Sequence, residues 1–589
     1  MRGTRKVRAA VAWASIIALT SGCTSLPSNT DPHVLHTFNA QTAAEPDARP
    51  IEGREPDLLL RDFYAASALP AADYEAARAY LTGDARSAWD PSLQVLVVDN
   101  IGVTTLVGGA GAKRSYSVHG DVVGELHDGG AFTPEHGSYE ATLELELVDG
   151  EWRISSLPSG VVLERAELRD HYQPYNLYFF DPAGDELITD RRWVVTRRES
   201  LPSALLTLLT GGPSERLSPA VEESSPAHLT GDNDAIAYAG MEDGAYTFTG
   251  FGGLDEQARK QFAAQVVWTL ASAGVTGPYS LRADGEVLFD GADALTVDDF
   301  AEFSPLVDLV GETTLYSLVD GRVSRVSGGT AHQVEGALGE AGNALTADIF
   351  GEKYWAGVFG EPGGNNEEGE AAEEAKDVFR VGEFGGSEED VVEGTTFSRP
   401  TFEPNAAAVW VVADGTRVLR TIHSGATNEV VTSEVKVELP EGVEGNISVL
   451  RLSRSAARAV MVVDGRLYTG IVKREATGER SVVNVMEYAS ELGGSVISAD
   501  WQPDGSLLVG TSSAVSPVMR VEQDGSGSTT LSAGNISAPV VAVGTSPNML
   551  YVTDSNALLQ MPVSGTDNPL WREVPGLLGT RALPIVARH

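Results

Sequence analysis

The chain has 589 residues, a length that accommodates several domains, and its 42% hydrophobic and 21% charged residues are typical of folded protein. The 42 basic residues face 83 acidic ones, a formal net charge of −41, which argues against nucleic acid or anionic lipid head groups as general partners because like charges repel. One cysteine, Cys23, excludes an internal disulfide and a CxxC metal site.

Residues 1–22 predict a cleaved signal peptide. Met1–Arg8 carries four basic residues, and the apolar run Ala9–Thr20 is too short to span a bilayer. The following stretch, Leu19-Thr20-Ser21-Gly22-Cys23, resembles a bacterial lipobox, with Thr20 where Leu is commoner. The resemblance implies that Cys23 receives a diacylglycerol on its sulfur and a fatty acid such as palmitate on its nitrogen. The expected location is the extracytoplasmic face of the cell membrane, and the alternative is an ordinary secretory signal with an accidental cysteine.

Residues 23–55 predict a flexible tether, because Ser, Asn, Asp and Pro are frequent there. Its His33 and His36 form an HxxH pair that could bind a metal, but with no further ligands nearby solvated histidines are the favoured interpretation. The sequence predicts no metal site and no cofactor.

Residues 56–174 predict an α+β domain. Apolar residues at helical spacing begin at Leu58, and Tyr74–Leu81 predicts a second helix. Three strand-like segments follow: Gln94–Val98, Ser115–Leu126 and Tyr139–Ser155, the last a hairpin around Asp149-Gly150. This order is that of an NTF2-like cone. His119 and Asp121 could form a catalytic dyad, although exposed histidines at strand edges are commoner.

Residues 175–295 predict an α/β domain. A strand, Asn176–Phe180, precedes a strand at Trp193–Val195 and a buried helix, Leu201–Leu209, that ends at Gly211-Gly212-Pro213. A further strand, Tyr246–Phe251, leads to a helix that starts at Asp255 and ends at Gly274. This segment resembles the GerMN domain of spore germination proteins. The resemblance implies an extracytoplasmic binding or assembly unit without catalytic residues.

Residues 303–589 predict a β-propeller. Strand-turn-strand units recur at about the spacing of propeller blades. They are Leu315–Val326, Val409–Ile422, Ala457–Val472, Leu507–Val521 and Leu550–Val563, with room for one more at Tyr354–Phe359 paired with Val378–Val381. Trp501-Gln-Pro-Asp-Gly505 resembles a corner of propellers related to TolB. We expect about six blades.

The acidic insertion 361–393 interrupts this pattern, with twelve acidic residues against Lys376 and Arg380. Its carboxylates lack the spacing of a Ca²⁺ loop, so a solvated loop is favoured over a cation site or a contact for a basic partner.

No motif of a hydrolase, kinase, P-loop or zinc protease is present, so the sequence predicts no enzyme. The lipobox, tether, NTF2-like segment, GerMN segment and propeller together resemble the actinobacterial LpqB lipoprotein family over essentially the whole chain. The closest local matches are Leu177–Phe180, Leu201–Pro213 and Trp501–Gly505. The resemblance implies an accessory of a two-component system of the MtrA–MtrB type, which contacts the extracytoplasmic part of the sensor kinase and tunes envelope homeostasis and division. Only Cys23 is carried over as a functional position.

Two other classes of function stay open at this point. In the first, the protein binds or hydrolyses cell-wall fragments, with Trp410 and Trp501 stacked on sugar rings, although propeller tryptophans more often pack between blades. In the second, it is a structural spacer without a signalling role.

Overall fold

The computed structural model describes residues 49–106, 111–221, 226, 230–231, 234–304, 313–360, 376–424, 429–475, 477–532, 534–563 and 570–588. From Pro50 onward the described residues form one compact unit. The chain is largely β-structured, and three successive regions are distinguished below by their sheets.

The first region places four helices around one sheet. The helices are α1 (Pro56–Ala66), α2 (Ala71–Arg78), α3 (Gly83–Ala88) and α4 (Arg165–His171). The strands are β1 (Val95–Thr105), β2 (Lys113–Leu126), β3 (Phe132–Val148), β4 (Glu151–Ser156) and β5 (Val161–Glu164). Their order in the sheet is β4-β3-β2-β1-β5, and only β1 and β5 run parallel.

The predicted hairpin of this region is confirmed. Strands β3 and β4 pair through Leu145 and Ile154, both fully buried, and Asp149 and Gly150 between them have φ of 53° and 86°. Two successive residues with positive φ match the right-handed twist of the strands.

The predicted second helix is present, but it lies three residues earlier than the predicted run Tyr74–Leu81. Helix α2 covers Ala71–Arg78 and is kinked, because residues 72–74 have positive φ. Leu81 instead forms an isolated bridge to Ile154, and α3 begins directly afterwards, with the Thr82 side chain accepting a hydrogen bond from the Ala85 amide.

The second region contains two long helices and short strands. Its strands are β6 (Gln173–Phe180), β7 (Leu187–Val194), β8 (Thr230–Gly231), β9 (Asp234–Ala235), β10 (Ala237–Glu242), β11 (Ala245–Thr249), β12 (Leu281–Ala283) and β13 (Glu286–Val287). Its helices are α5 (Leu201–Gly211), α6 (Ser218–Val221) and α7 (Glu256–Ser272), followed by a 3-10 helix, Val297–Phe303. Strands β6 and β7 form an antiparallel hairpin, and β10-β11-β12-β13 form a four-stranded sheet.

Both predicted helices of this region are confirmed. Helix α5 ends at Gly212, whose φ of 97° suits glycine, and the Asp255 carboxylate caps the first turn of α7 by accepting from the Ala258 amide. The middle of α7, from Phe262 to Leu270, is buried along its whole circumference, because strands and helices pack around it.

The third region consists almost entirely of antiparallel strands. The first group is β14 (Leu315–Val319), β15 (Arg322–Ser327), β16 (Thr330–Gln333), β17 (Ala344–Phe350), β18 (Tyr354–Gly360), β19 (Asp377–Glu383), β20 (Glu388–Gly394), β21 (Thr401–Phe402), β22 (Val409–Ala413), β23 (Arg417–Ser424) and β24 (Glu429–Val437), with a short helix α8 (Ala337–Glu340). The second group is β25 (Ile447–Leu452), β26 (Arg458–Val463), β27 (Arg466–Arg474), β28 (Arg480–Tyr488), β29 (Val496–Trp501), β30 (Leu507–Thr511), β31 (Val518–Val521), β32 (Ser528–Thr530), β33 (Ala542–Thr545), β34 (Met549–Thr553), β35 (Leu558–Pro562), β36 (Arg572–Glu573) and β37 (Leu583–Val586).

The strands of this region form sheets arranged in a closed ring. Each four-stranded sheet contributes to the ring the strand at one end of its strand order, the eight-stranded sheet contributes the strands at both ends, and we call these end strands the first strands. Four sheets are four-stranded, with the orders β16-β15-β14-β37, β17-β18-β19-β20, β29-β30-β31-β32 and β33-β34-β35-β36, and β21 to β28 form an eight-stranded sheet. The ring of contacts runs β37, β17, β21, β25, β29, β33 and back to β37. Because β37 pairs with β14, the end of the chain closes the sheet that begins this region.

The insertion is shorter than predicted. Strands β18 and β19 pair as expected, with Phe359 opposite Val378. Residues 377–393 belong to β19 and β20 with their connecting turn, so the prediction of one solvated loop over 361–393 is wrong for that part. Residues 361–375 lie outside the described residues.

Candidate functional site

Strand β7 lies where the three regions meet, and Trp193 contacts all of them. Its ring packs into the core of the first region, beside Phe132 and Leu168, and only 7% of the residue is exposed. Its indole Nε1 donates to Asp524 Oδ2 of the third region at 2.8 Å. One side chain of the second region therefore links the other two, and we call this place the Trp193 junction.

The neighbouring Asp190 and Arg192 hold the same strand to the loop after α5. Arg192 donates to Asp190 Oδ2 from Nη2 at 2.8 Å and from Nε at 3.1 Å. The Asp190 carboxylate also accepts from the Ser214 amide at 2.7 Å and from Ser214 Oγ at 2.9 Å. Arg192 further donates to the carbonyls of Gly212 and Gly129, which ties the first region into the network.

The other face of β7 meets the third region. Arg191 forms an ion pair with Glu522 at 2.7 Å, and Gln523 Nε2 donates to Thr189 Oγ1 at 2.6 Å. Alternate residues of a strand point to opposite faces, so Thr189, Arg191 and Trp193 share the face that contacts the third region. Arg458, whose pKa is lowered by burial, donates to the Thr189 carbonyl.

Arg216 makes a second connection between these regions. It donates to the Tyr488 hydroxyl and, from Nη2, to Thr469 Oγ1 at 2.7 Å. Its guanidinium also lies over the Tyr488 ring, 5.0 Å from the centroid. The Arg216 carbonyl in turn accepts from Asn484 Nδ2 at 3.0 Å. Charge-assisted bonds of this kind are stronger than neutral ones and fix geometry.

Two cavities flank the junction. One, of about 810 Å³, is bounded by all three regions, with Phe132, Arg192 and Asp524 among its walls. The other, of about 590 Å³, lies between the second and third regions, with Asn176 and Trp501 among its walls. Charged groups on the walls of the larger cavity, such as Arg192 and Asp524, already form hydrogen bonds of the Trp193 junction. These groups therefore hold the three regions together.

Several predicted site residues lie outside the described part of the chain: Cys23, His33 and His36. Of the remaining candidates, His119 and Asp121 are exposed and make no hydrogen bond or ion pair with each other in the described structure. The Asp121 carboxylate instead accepts from Asn100 Nδ2 at 3.0 Å. The suggested dyad is therefore not formed. No group of three or more potential metal ligands occurs among the described residues.

The two tryptophans suggested to stack on sugars are packed inside the third region. Trp410 is fully buried and donates to Glu403 Oε1 at 2.7 Å, and Trp501, 7% exposed, donates to the Arg451 carbonyl at 3.0 Å. Packing between sheets is therefore their structural role, and sugar stacking is wrong for Trp410.

Sequence reasoning missed the Trp193 junction. The predicted strand covered only Trp193–Val195, whereas β7 begins at Leu187 and carries Asp190, Arg191 and Arg192 within it. Consecutive charged residues inside a strand that continues into Trp-Val are unusual for a solvent-facing strand, and this is the signal that could have indicated a buried polar interface.

None of the described helices is long and apolar enough to cross a membrane.

Family models match three consecutive parts of the chain. The N-terminal domain of lipoprotein LpqB matches residues 49–169, the domain described as "Sporulation and spore germination" matches 176–289, and the lipoprotein LpqB beta-propeller domain matches 321–587. Among solved structures, the beta-propeller domain of Cps50 (Swd1) from Myceliophteria thermophila aligns over 41% of this chain and 76% of its own, with 10% identity and a TM-score of 0.28.

Relatives named lipoprotein LpqB align over nearly the whole chain. The protein from Corynebacterium diphtheriae is 40% identical, with 97% of each chain covered. The protein from Rhodococcus jostii is 35% identical over 99% of this chain and 98% of its own, and that from Mycobacterium tuberculosis is 31% identical over 97% of each. Because two of the matching models are LpqB domains and these relatives are 31–40% identical over nearly the full length, the chain belongs to the lipoprotein LpqB family.

Proposed function

We propose that this protein is a lipid-anchored extracytoplasmic accessory of a sensor kinase of the MtrA–MtrB type, acting by binding and not by catalysis. The Trp193 junction carries the proposal. It joins the three regions by buried and partly buried charge-assisted bonds, so the domains present their outer surfaces to a partner in fixed relation. A modulator shifts its partner only if it binds the partner's two states with different affinities, and a fixed surface keeps the contacts that set this difference in one geometry.

The anchor in this proposal is Cys23. Removal of residues 1–22 leaves it at the new N-terminus, and two or three acyl chains give stable attachment where one gives only reversible binding. The relatives' name, lipoprotein, supports this assignment. Residues 23–55 then act as the tether that holds the folded body off the bilayer.

The folded body divides, in this proposal, into an NTF2-like domain at 56–174, a GerMN domain at 175–295 and a propeller at 303–589. The five-stranded sheet with its preceding helices supports the first assignment. The closed ring of first strands supports six blades, with the eight-stranded sheet counted as two neighbouring blades joined by the short parallel pairing of β24 with β28.

In this proposal, anchoring at the membrane and binding to the kinase act together. Confinement to the membrane raises the effective concentration of the protein near a kinase ectodomain. Binding then shifts the kinase between signalling states only if the affinities for the two states differ, and a tenfold preference corresponds to about 1.4 kcal/mol. Without the four basic residues of the signal peptide, 38 basic residues face 83 acidic ones, a net of −45 that would steer a basic partner.

Calorimetric titration of the protein with a recombinant kinase ectodomain, at two salt concentrations, tests the proposal. We expect saturable binding that weakens with salt. The edge strand β20 supplies a sharp variant, Glu388→Lys with Glu389→Lys, because both side chains are exposed. Its control, Glu441→Lys with Glu444→Lys, makes the same charge change on an exposed loop elsewhere in the third region. Absence of binding at both salt concentrations would contradict the proposal.

A second candidate function is binding or hydrolysis of a cell-wall fragment. The cavity of about 590 Å³ between the second and third regions favours it, since Trp501 and polar groups such as Asn176 and Gln502 form its walls. Muropeptides added to the protein should then change tryptophan fluorescence saturably, and Trp501→Phe should remove most of that change. A titration without a saturable response would argue against this candidate.

A further inference from the structure

The ring of first strands in the third region encloses a small channel. Its cavity of about 210 Å³ is lined by residues of all the ring strands or of the segments leading into them, among them Thr346, Ser448, Ser498 and Ala542. Two arginines, Arg399 and Arg451, are the charged members of this lining, and no acidic residue is among the described residues that line it. The lining is therefore electropositive.

Arg399 and Arg451 belong to a cluster of five charged side chains, of which the other three are the buried Asp348 and Asp500 and the partly exposed Arg588. Asp348 is completely buried, and its carboxylate pairs with Arg399 at 3.1 Å and with Arg451 at 3.3 Å. Arg451 also reaches Asp500 at 3.4 Å, and Arg588 lies 4.0 Å from Asp348. We call these five residues the axial cluster.

The axial cluster carries one positive charge more than its carboxylates balance, with three arginines against two aspartates. Burial and the nearby Arg451 lower the pKa of Arg399 despite Asp348, and burial with Arg451 lowers the pKa of Arg588 to about 10. Both directions agree with a cluster in which the positive charges outnumber the negative ones. An excess positive charge of this kind favours the binding of an anion that can pair with it.

The hydrogen bonds of the three arginines show where the pairing within the cluster is incomplete. Arg451 uses all three nitrogens, toward Asp500, Asp348 and the Pro400 carbonyl. Arg588 uses Nη1 and Nη2 on the carbonyls of Phe402 and Leu452, with Nε toward Asp348.

Arg399 differs from the other two arginines. It donates from Nε to the Ala347 carbonyl at 3.2 Å and from Nη2 to Asp348, while its Nη1 makes no hydrogen bond to a described residue. Arg399 is partly exposed at the channel wall, with 19% of its side chain accessible, whereas Arg588, with 21% accessible, does not line this cavity.

We propose that this channel is a binding site for a small oxyanion, a phosphate or a carboxylate group, which accepts a hydrogen bond from Arg399 and lies beside the positive charge of Arg451. Guanidinium groups bind such anions through charge-assisted hydrogen bonds, and the low polarity of a channel strengthens the attraction. The bound anion balances the third arginine, so the site stabilises the ring as well as recognising a ligand. This inference stands independently of the kinase proposal.

Titration of the purified full-length protein in detergent tests the site. Inorganic phosphate and acetate are added separately by calorimetry, with chloride as the reference at matched ionic strength. We expect saturable binding of at least one oxyanion, and a rise of the thermal midpoint with the same concentration dependence. The phosphate and acetate arms distinguish a phosphate ligand from a carboxylate ligand.

Variants assign the binding to the channel. Arg399→Gln should weaken it at least tenfold, because it removes the excess charge and the unused Nη1. In anion-free buffer this variant should not be less stable than the original protein, since its axial cluster is neutral. Arg466→Gln makes the same charge change at the start of β27, where Arg466 pairs with Glu487 at the surface, and should leave binding unchanged.

Two results would overturn the site. One is the absence of a saturable response above chloride with either anion in the original protein. The other is equal binding by the original protein and Arg399→Gln. If Arg399→Gln does not fold, Arg399→Lys keeps the positive charge and takes its place. All donors of lysine are on one nitrogen, so it cannot make the two parallel hydrogen bonds of a guanidinium, and phosphate binding should weaken. Binding equal to that of the original protein would also overturn the site.

Discussion

Trp193 combines two contributions that usually come from different residues: apolar packing against one region and a hydrogen bond to another. Its partner, Asp524, is buried and also accepts from the amide and hydroxyl of Ser526. A buried carboxylate that loses one of its donors keeps its desolvation cost, so the indole N–H matters beyond the area it buries.

We therefore predict a graded response at Trp193. Trp193→Phe keeps much of the packing but removes the donor, and should destabilise the protein by about 1–2 kcal/mol. Trp193→Ala also leaves a cavity and should cost about 3–5 kcal/mol. Midpoints of urea unfolding measure both. Trp152→Phe is the control, because its indole N–H has no hydrogen-bond partner among the described residues, and an equal effect at both positions would contradict the role of Asp524.

Glu403 gives a prediction about pH. Its burial by itself would raise the pKa of the carboxyl, but hydrogen bonds from Arg420, at 2.6 and 2.9 Å, and from Trp410 outweigh burial and hold the pKa below its ordinary value. The resulting stability is fully present above the unfolded pKa of about 4.3 and is lost as pH falls through the lower folded pKa.

Glu403→Gln should remove this stability at neutral pH, by about 3 kcal/mol, because it leaves the buried Arg420 without a counter-charge. Its unfolding midpoint should then fall less steeply in acid than that of the original protein. Glu434→Gln, on an exposed position of the neighbouring strand β24, should change neither quantity. Parallel pH profiles for Glu403→Gln and the original protein would contradict the account.

Among these residues, sequence alone pointed to Trp410 and Trp501 and to their packing between blades. The sequence alone could not pair Glu403 with Arg420, or Trp193 with Asp524. The second pair is 331 residues apart, and its contact depends on how the domains dock. Polar interface residues follow no period along the chain, and one sequence holds no record of which surfaces meet.

Helices and strands could be predicted from the sequence far better than the contacts between them. Hairpins such as β14–β15 and β26–β27 follow from apolar runs on either side of an Asp-Gly turn, where both residues adopt positive φ. The kink in α2 was missed because Ala, Asp and Tyr at 72–74 carry no breaker signal. The early end of the insertion was missed because the strand β20 is acidic and resembles a loop in composition.

One turn gives a prediction at this scale. At Gly465, with φ of 78°, an added Cβ would lie 2.5 Å from the Gly494 carbonyl oxygen. Gly465→Ala should therefore cost more than the roughly 1–2 kcal/mol of left-handed backbone alone. Gly285 is the matched control, because it also follows an Asp, has φ of 85° and has nothing within 4 Å of an added Cβ. Thermal midpoints should fall further for Gly465→Ala, and equal shifts would contradict the steric argument.

At the scale of the whole molecule, the fold class of each segment could be predicted from its own pattern in the sequence, and the family was predicted from the resemblance of the lipobox and the ordered segments to the LpqB family. The contacts that join the domains leave no comparable pattern in the sequence. The structure adds that three domains form one unit through the Trp193 junction, with two cavities beside it and an electropositive channel in the third region. In the function that we propose, this unit is held at the membrane by the anchor at Cys23 and the tether 23–55, and acts on a membrane partner.

The most direct test of that claim is kinase autophosphorylation in vesicles that contain the full-length sensor kinase of the MtrB type. Added lipidated protein should change the phosphorylated fraction, and Cys23→Ser should require a much higher concentration for the same effect, because it lacks the anchor that concentrates it. An unchanged phosphorylated fraction at saturating lipidated protein would contradict the account. It would leave the protein with no means of distinguishing the kinase's signalling states, however tightly it binds.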